Sequence, residues 1–249
     1  MFSISNRGII PFLFIFFYCF SSSYSQIKVK FTGKDSLTVT ADLYKVNESS
    51  PYIVLFHQAN SSRGEYIDIA KKLTNLGYNC LAVDLRSGDE INYVINETAR
   101  KAKQKNYPTG YLDAEKDMHA AIDYAFHKNE QEVILFGSSY SASLSLKIAN
   151  ETSKVKAVVA FSPGEYFMPE IIIKDKLTDF NKPAFIAVTK RESQYIEELT
   201  YHIPEDYKTV FTPKNGAGTH GARALWESNS TSEEYWLALL MFFSKMNNN

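Results

Sequence analysis

Six short, mainly apolar runs are spaced along the chain, and they constrain its fold more than any other feature. Short runs with little polar interruption are typical of strands that are buried on both faces. Amphipathic segments of helical length separate several of the runs. This alternation favours a mostly parallel central sheet with helices on both faces. The apolar runs are 52–56, 80–83, 133–136, 157–161, 184–188 and 207–211.

Helical and antiparallel patterns complete the prediction of an α/β fold. The segments 29–32 and 37–44 alternate apolar and polar residues with period 2, as half-buried antiparallel strands do. Gly77 follows the first helical segment and marks its end. Neither a repeat nor a long linker divides the chain, so we predict one α/β domain over residues 26–249. The predicted helices are 66–73, 112–126, 141–149 and 233–243.

The first 25 residues have the layout of a secretory signal peptide. Arg7 precedes the apolar run 8–20, and small residues with one tyrosine follow at 21–25. The run is shorter than the roughly 20 apolar residues that span a bilayer. We therefore expect cleavage after Ser25 and export to the periplasm or the extracellular space, with no membrane span in the mature protein. A retained anchor and lipid attachment at Cys19 are the alternatives.

Charge and residue spacing exclude several classes of partner. The chain has 27 Lys and Arg residues against 28 Asp and Glu residues, a formal net charge of −1. This balance lacks the basic footprint of a protein that binds nucleic acid. His, Cys, Asp and Glu do not recur at the close spacing that metal sites use. We expect neither a metal ion nor a cofactor.

The segment that points to chemistry is Gly137-Ser138-Ser139-Tyr140-Ser141. It follows the apolar run 133–136 and leads directly into a helical segment. Strand, Gly-x-Ser-x-small and helix form the sequence context of a nucleophile elbow, in which the central serine stands on a sharp turn. Small residues are needed on both sides because strand and helix approach closely there. Ser139 is therefore the candidate nucleophile, and Ser141 replaces the more usual glycine.

On this motif the chain resembles the α/β-hydrolase superfamily, and within it the dienelactone-hydrolase and small-esterase branch. The resemblance implies the chain order nucleophile, acid, histidine. His220 lies late in the chain between glycines and fits the role of the base. Glu192, in the loop after the run 184–188, fits the role of the acid. Asp175 and Asp179 remain alternatives for that acid.

The resemblance also implies an oxyanion hole made of backbone N–H groups. Tyr140, directly after the nucleophile, would supply one of them. The other belongs to the loop after the first apolar run, where alignment with the His-Gly-x segment of the family selects Ala59, with Gln58 as second choice. His57 is then expected to order this loop and not to act as a base.

Residues near other strand ends have less specific interpretations. Arg86 follows the run 80–83, and we expect it to pair with Asp84 or another carboxylate and not to hold an acidic substrate. Tyr166 and Phe167 either line the pocket or pack in the core. About twenty residues separate the fourth and fifth runs, which leaves no room for a large cap domain.

Ser139, His220 and Glu192 together predict hydrolysis of an ester or similar acyl bond. A serine hydroxyl needs an imidazole to take its proton, and the imidazole needs a carboxylate to fix its tautomer. The expected partner is a small-molecule acyl substrate that passes through an acyl-enzyme. A non-catalytic binding protein of the same fold and an acyltransferase with the same triad are the alternative functions.

Overall fold

A central eight-stranded sheet dominates the computed structural model, which describes residues 25–247. A separate two-stranded hairpin lies between the fourth and the seventh strand along the chain. The strands are β1 (Ser25–Thr32), β2 (Thr38–Lys45), β3 (Tyr52–Phe56), β4 (Asn79–Val83), β5 (Glu90–Ile91), β6 (Val94–Ile95), β7 (Val133–Ser138), β8 (Val155–Phe161), β9 (Ala184–Ala187) and β10 (Lys208–Phe211).

The strand order in the sheet is β1-β2-β4-β3-β7-β8-β9-β10. The six strands from β4 to β10 in this order run parallel, and β1 and β2 pair antiparallel at one edge. The prediction of a mostly parallel sheet is thus confirmed. Because the strands are parallel, the loops after β3, β7, β8 and β9 all emerge at the carboxyl edge, where open α/β sheets bind ligands.

Helices cover both faces of this sheet. Alternate residues of β3 enter different clusters, with Val54 among the residues of one core and Leu55 among those of the other. The first core holds residues of the helices Glu115–Asn129, Tyr140–Glu151 and Ser193–Leu199, and the second holds residues of the helices Ile67–Asn75 and Ser232–Asn247. The helices are α1 (Ile67–Asn75), α2 (Glu97–Gln104), α3 (Glu115–Asn129), α4 (Tyr140–Glu151), α5 (Ser193–Leu199) and α6 (Ser232–Asn247).

The four predicted helices correspond to α1, α3, α4 and α6, and α2 and α5 add to them. Gly77 follows α1 with a positive φ of 92°, the conformation that glycine favours after a helix. Between β8 and β9 the chain forms only loops and the 3-10 turn Lys174–Leu177, so no large cap domain is inserted there.

The alternation in 37–44 correctly predicts a strand but not its environment. β2 is buried on both faces and not half-buried. Its polar face has polar partners, since the backbone N–H of Thr40 donates to Thr98 and the carboxylate of Asp42 pairs with Arg63 at 3.0 Å. The alternation in β2 therefore places apolar residues on one face of the strand and polar residues on the other, and the polar face is buried and not exposed to solvent.

Two buried arginines hold the loop after β4. Arg63 contacts Asp84 at 2.6 Å, and burial raises the pKa of Asp84 to about 6 although Arg63 opposes the shift. Arg86 is fully buried, and its guanidinium bonds both carboxylate oxygens of Asp117 and one of Asp35. The expected carboxylate pairing of Arg86 is therefore present, with these two residues and not with Asp84.

Within the described residues, no helix is both long and apolar enough to cross a membrane. The predicted signal peptide precedes the described part of the chain, apart from Ser25, and stays a prediction.

Replacing Arg86 with Met should lower the free energy of unfolding by about 3–5 kcal/mol, because it leaves the Asp117 carboxylate buried without its cation. Burial already raises the pKa of Asp117 against the effect of Arg86. In the variant that pKa rises further, so the folded state binds a proton more readily than the unfolded state. The loss of stability should therefore be smaller near pH 5 than at pH 7.

Urea unfolding followed by circular dichroism measures this effect. Arg100→Met removes an exposed arginine and serves as the control, with an expected change within about 0.5 kcal/mol. The double variant Arg86→Met/Asp117→Leu should recover most of the loss. Equal stabilities of Arg86→Met and Arg100→Met would show that the ion pair does not hold the loop.

Candidate active site

Ser139 occupies the bend between a strand and a helix. β7 ends at Ser138 and α4 begins at Tyr140, so Ser139 alone makes the turn. Its backbone has φ 60° and ψ −124°, a sparsely populated conformation for a residue other than glycine. The backbone N–H of Ser139 donates to the Phe161 carbonyl at the end of β8, at 2.8 Å. This is the strained geometry that the nucleophile-elbow motif predicts.

Gly137 and Ser141 permit the bend for different reasons. A Cβ on Gly137 would lie 2.5 Å from the Ala142 Cα, a distance that side chains do not tolerate. Ser141 replaces glycine without a clash, and its hydroxyl has partners. Its Oγ accepts from the backbone N–H of Ser138 at 2.9 Å and donates to the Phe56 carbonyl at 2.7 Å. The serine at position 141, where glycine is more usual, therefore connects the elbow to the end of β3 by hydrogen bonds.

The structure brings the predicted nucleophile, base and acid into one hydrogen-bonded row. Nε2 of His220 lies 2.8 Å from Oγ of Ser139. Nδ1 of the same ring lies 2.5 Å from Oε1 of Glu192. The carboxylate is nearly buried, whereas the histidine side chain is 43% exposed, which leaves room for a substrate beside the ring. Both distances allow proton transfer and imidazolium stabilisation.

The carboxylate of Glu192 is held in its charged form. Burial raises its pKa, but hydrogen bonds from His220, from the Thr189 backbone N–H and from the Ser162 hydroxyl outweigh burial and lower the pKa. The alternative acids Asp175 and Asp179 are exposed side chains, and the two imidazole nitrogens of His220 contact Glu192 and Ser139 instead. Of the three candidates, only Glu192 reaches the imidazole.

Ser162 is a positioning residue that the sequence analysis did not find. Its hydroxyl donates to Oε2 of Glu192 at 2.8 Å and accepts from the Gly221 backbone N–H at 2.9 Å. It thereby connects the acid to the residue that follows the base. Gly221 has φ 73°, and a Cβ there would lie 2.6 Å from Oγ of Ser138, so glycine is required. The only sequence signal for Ser162 is its position, a hydroxyl directly after the run 157–161.

The loop after β3 offers one free N–H at the predicted place. The backbone N–H of Gln58 is engaged by Oε2 of the buried Glu65 at 3.1 Å. The N–H groups of Ala59 and Tyr140 have no hydrogen-bond acceptor among residues 25–247. Ala59 therefore fits the oxyanion role better than Gln58. The side-chain amide oxygen of Gln58 instead faces the Arg223 guanidinium and accepts hydrogen bonds from it.

His57 orders this loop from a fully buried position. Its Nδ1 donates to the Gln58 carbonyl at 2.7 Å, and its Nε2 accepts from the Leu85 backbone N–H at 2.9 Å. Burial lowers the pKa of His57, so the ring stays neutral. Both ring nitrogens are engaged by the backbone, and His57 has the structural role that the sequence predicts.

One side-chain cluster elsewhere has the residue types of a metal site. Glu115, His119 and Glu151 bring one ligand atom each within 4.8 Å of one another. However, the Lys147 ammonium lies between the two carboxylates, at 2.6 Å from Glu115 and 3.0 Å from Glu151. A cation of the protein itself therefore satisfies the acidic groups.

Tyr166 and Phe167 differ in their surroundings. Phe167 is buried in the core that contains α3 and α4. Tyr166 is partly buried, and its hydroxyl donates to the Ser162 carbonyl at 2.9 Å. Burial raises the pKa of Tyr166, and the nearby side chains of Ser139 and Tyr195 oppose this shift. Of the two residues, only Tyr166 lies beside the nucleophile.

Comparison with known proteins identifies one matching family and several solved structures with a similar fold. The model of the dienelactone hydrolase family matches residues 39–209. No curated protein sequence gives a significant match. An esterase of Pyrococcus furiosus superposes with a TM-score of 0.67 at 17% identity, over 89% of this chain and 93% of the esterase.

Two further solved structures have the same fold. A dienelactone hydrolase of Anabaena variabilis gives a TM-score of 0.66 at 17% identity, over 88% of this chain and 95% of its own. A dienelactone-hydrolase-like promiscuous phosphotriesterase from metagenomic libraries gives 0.64 at 17% identity, over 90% and 98%. At these identities the likeness establishes the shared fold.

Replacing Ser162 with Ala should raise the pKa of Glu192. The hydroxyl donates to the charged carboxylate, so its loss disfavours the charged form and protonation begins at higher pH. Carboxyl carbon shifts of ¹³C-labelled glutamate, titrated by NMR, measure the pKa, and Glu192→Gln identifies the signal. Ser193→Ala is the control, because that hydroxyl donates to the Lys190 carbonyl and does not contact the carboxylate. An unchanged or lowered pKa in Ser162→Ala would contradict the positioning role.

Proposed function

The chain belongs to the dienelactone hydrolase family, and we propose that it is a serine hydrolase that cleaves ester bonds through Ser139, His220 and Glu192. The observation that carries the proposal is the row of two short contacts, Ser139 to His220 and His220 to Glu192. A buried acid, a half-exposed imidazole and a serine on a strained bend have no evident structural purpose together. They match the requirements of an activated nucleophile.

Acylation begins when Oγ of Ser139 attacks the ester carbonyl carbon and its proton passes to Nε2 of His220. The resulting imidazolium is stabilised by Glu192, whose lowered pKa keeps the carboxylate charged at neutral pH. The carbonyl oxygen becomes an oxyanion. When the tetrahedral intermediate collapses, the bond to the leaving alcohol breaks, and that alcohol takes the proton from His220.

The free N–H groups of Ala59 and Tyr140 are the proposed donors to the oxyanion. They belong to two segments that the Ser141 hydroxyl joins, since it bonds both the elbow and the end of β3. Donors fixed before the reaction stabilise the developing charge without reorganising, and each contributes about 3–4 kcal/mol in related sites.

Deacylation repeats these steps with water as the nucleophile. His220 takes a proton from water, the hydroxide attacks the acyl carbon, and Oγ of Ser139 leaves with the proton returned by His220. An acceptor alcohol or amine in place of water would give the acyltransferase alternative. The non-catalytic alternative is disfavoured by the nucleophile, base and acid being within hydrogen-bonding distance of one another.

We also propose that the enzyme acts after export, in the periplasm or the extracellular space. The support is the arrangement of residues 1–25, with Arg7 before the apolar run. Fractionation of cells that express the full chain, followed by sequencing of the N-terminus of the mature protein, tests this; a protein that begins at Met1 would contradict it.

Hydrolysis of p-nitrophenyl acetate should fall by about 10⁴–10⁶-fold in kcat in Ser139→Ala and in His220→Ala, because either change disables the whole relay. Glu192→Gln should lose about 10⁴-fold, since the imidazole is then held in the wrong tautomer. Glu197→Gln, an exposed neighbour on α5, is the matched control and should keep the wild-type rate. Equal rates for Glu192→Gln and Glu197→Gln would contradict the choice of acid.

A fluorophosphonate probe identifies the nucleophile independently of the substrate. The wild type should be labelled on Ser139, and Ser139→Ala should not be labelled. Ser138→Ala keeps the reactive hydroxyl and should still be labelled, with the modified residue located by mass spectrometry. Folded wild-type protein that fails to react, or a label on Ser138, would refute the assignment.

A further inference from the structure

An open groove of about 510 Å³ lies between the loop that follows β8 and helix α5. We call it the acid-side groove, because α5 begins directly after Glu192. Its apolar wall consists of Tyr166, Met168, Ile172, Tyr195 and Leu199. Its polar margin is formed by Glu165, Lys174 and Glu198, with Gly164 at one end.

Tyr166 connects this groove to the nucleophile. Its ring lines the groove, and its hydroxyl lies near the side chains of Ser139 and Tyr195, which oppose the rise that burial causes in its pKa. The hydroxyl is held from the other side, since it donates to the Ser162 carbonyl at 2.9 Å. A substrate whose carbonyl carbon is at Oγ of Ser139 therefore has the groove as a neighbouring space.

The charged groups at the margin of the groove have partners within the protein. The Glu165 carboxylate accepts from the backbone N–H groups of Ile173 and Lys174, at 2.7 and 2.8 Å. The Lys174 ammonium pairs with Glu198 at 3.3 Å. Because the ammonium is already paired and the other two groups are negative, the margin does not attract an anion, and the groove suits an uncharged occupant.

The wall also exposes large apolar side chains at the surface. Met168 is 61% exposed, Ile172 40% and Tyr195 39%. Contiguous exposed apolar surface beside convergent polar groups is typical of a ligand groove. A hydrocarbon chain in this position would remove that surface from water.

We propose that the acid-side groove binds an uncharged hydrocarbon chain of the ester substrate, so that the enzyme prefers esters with a chain of about six carbons to short ones. This inference rests on the proposed function, because it places the chain by its ester carbonyl at Ser139. The chain belongs either to the acyl half or to the alcohol half of the ester, and both have the same chemistry in the groove.

Two substrate pairs distinguish these halves. The ratio of kcat/KM for p-nitrophenyl hexanoate to that for p-nitrophenyl acetate reports on an acyl chain, and the ratio for hexyl acetate to ethyl acetate reports on an alcohol chain. For one of the two pairs we expect a wild-type ratio of at least about ten, because even one methylene in an apolar pocket changes kcat/KM by about tenfold.

Met168→Glu places a charge on the groove wall and should lower that ratio about tenfold. Leu237→Glu is the matched control, since Leu237 is also 61% exposed and lies on α6, outside the groove. It should keep the wild-type ratio. Ile172→Glu and Leu240→Glu, at 40% and 38% exposure, form a second matched pair with the same expectation. Thermal unfolding is used to check that all four variants fold.

A wild-type ratio near one for both pairs, or ratios that change equally in Met168→Glu and Leu237→Glu, would overturn the inference.

If the wild type cleaves none of the four esters, the proposed function fails, and a binding measurement tests the groove separately. Calorimetry then measures the dissociation constants of p-nitrophenyl hexanoate and hexyl acetate with Ser139→Ala. Adding Met168→Glu should weaken one of them at least about fivefold, the effect of one or two buried methylenes. No weakening relative to Leu237→Glu would overturn the groove as well.

Discussion

The close approach of β7 and α4 at Gly137 determines where the candidate nucleophile stands. It forces the turn onto Ser139, whose φ and ψ values cost about 1–3 kcal/mol. Hydrogen bonds to both neighbouring strands offset that strain, because Ser139 N–H bonds the end of β8 and the Ser141 hydroxyl bonds the end of β3. The bend is therefore a property of three adjacent strands. Movement of any of them would displace the serine hydroxyl.

The polar interior explains why the loops around this bend keep their shape. Asp84, Leu85 and Arg86 directly follow β4, and each has a buried partner: Arg63, the His57 ring and Asp117. These contacts fix the loop after β4 against the loop after β3, which carries Ala59. They also leave both arginines neutralised by carboxylates. Arg63 and Arg86 thus serve the architecture of this sheet edge.

Local patterns predicted the sheet, the main helices and the elbow, because each depends on residues that are near one another in the sequence. The acid was different, since Glu192, Asp175 and Asp179 all follow strands and only distance to the imidazole separates them. Ser162 had only a weak local signal, a hydroxyl directly after an apolar run, because its role arises where three loops meet, 30 residues from Glu192 and 59 from Gly221. The alternation in β2 correctly predicted a strand. Arg63 covers the polar face of that strand, and no residue near β2 in the sequence indicates this contact.

The row from Ser139 to Glu192 joins loops after three different strands, and the serine and the histidine are 81 positions apart in the sequence. The three side chains come from the loops after β7, β9 and β10. The last strand and the loop that follows it must therefore be folded before His220 can contact Ser139. A partially unfolded chain that has lost only β9 and β10 would keep a folded elbow but have no proton acceptor. Turnover would then report on the integrity of this edge of the sheet, and it would be lost when β9 and β10 unfold even though the elbow remains folded.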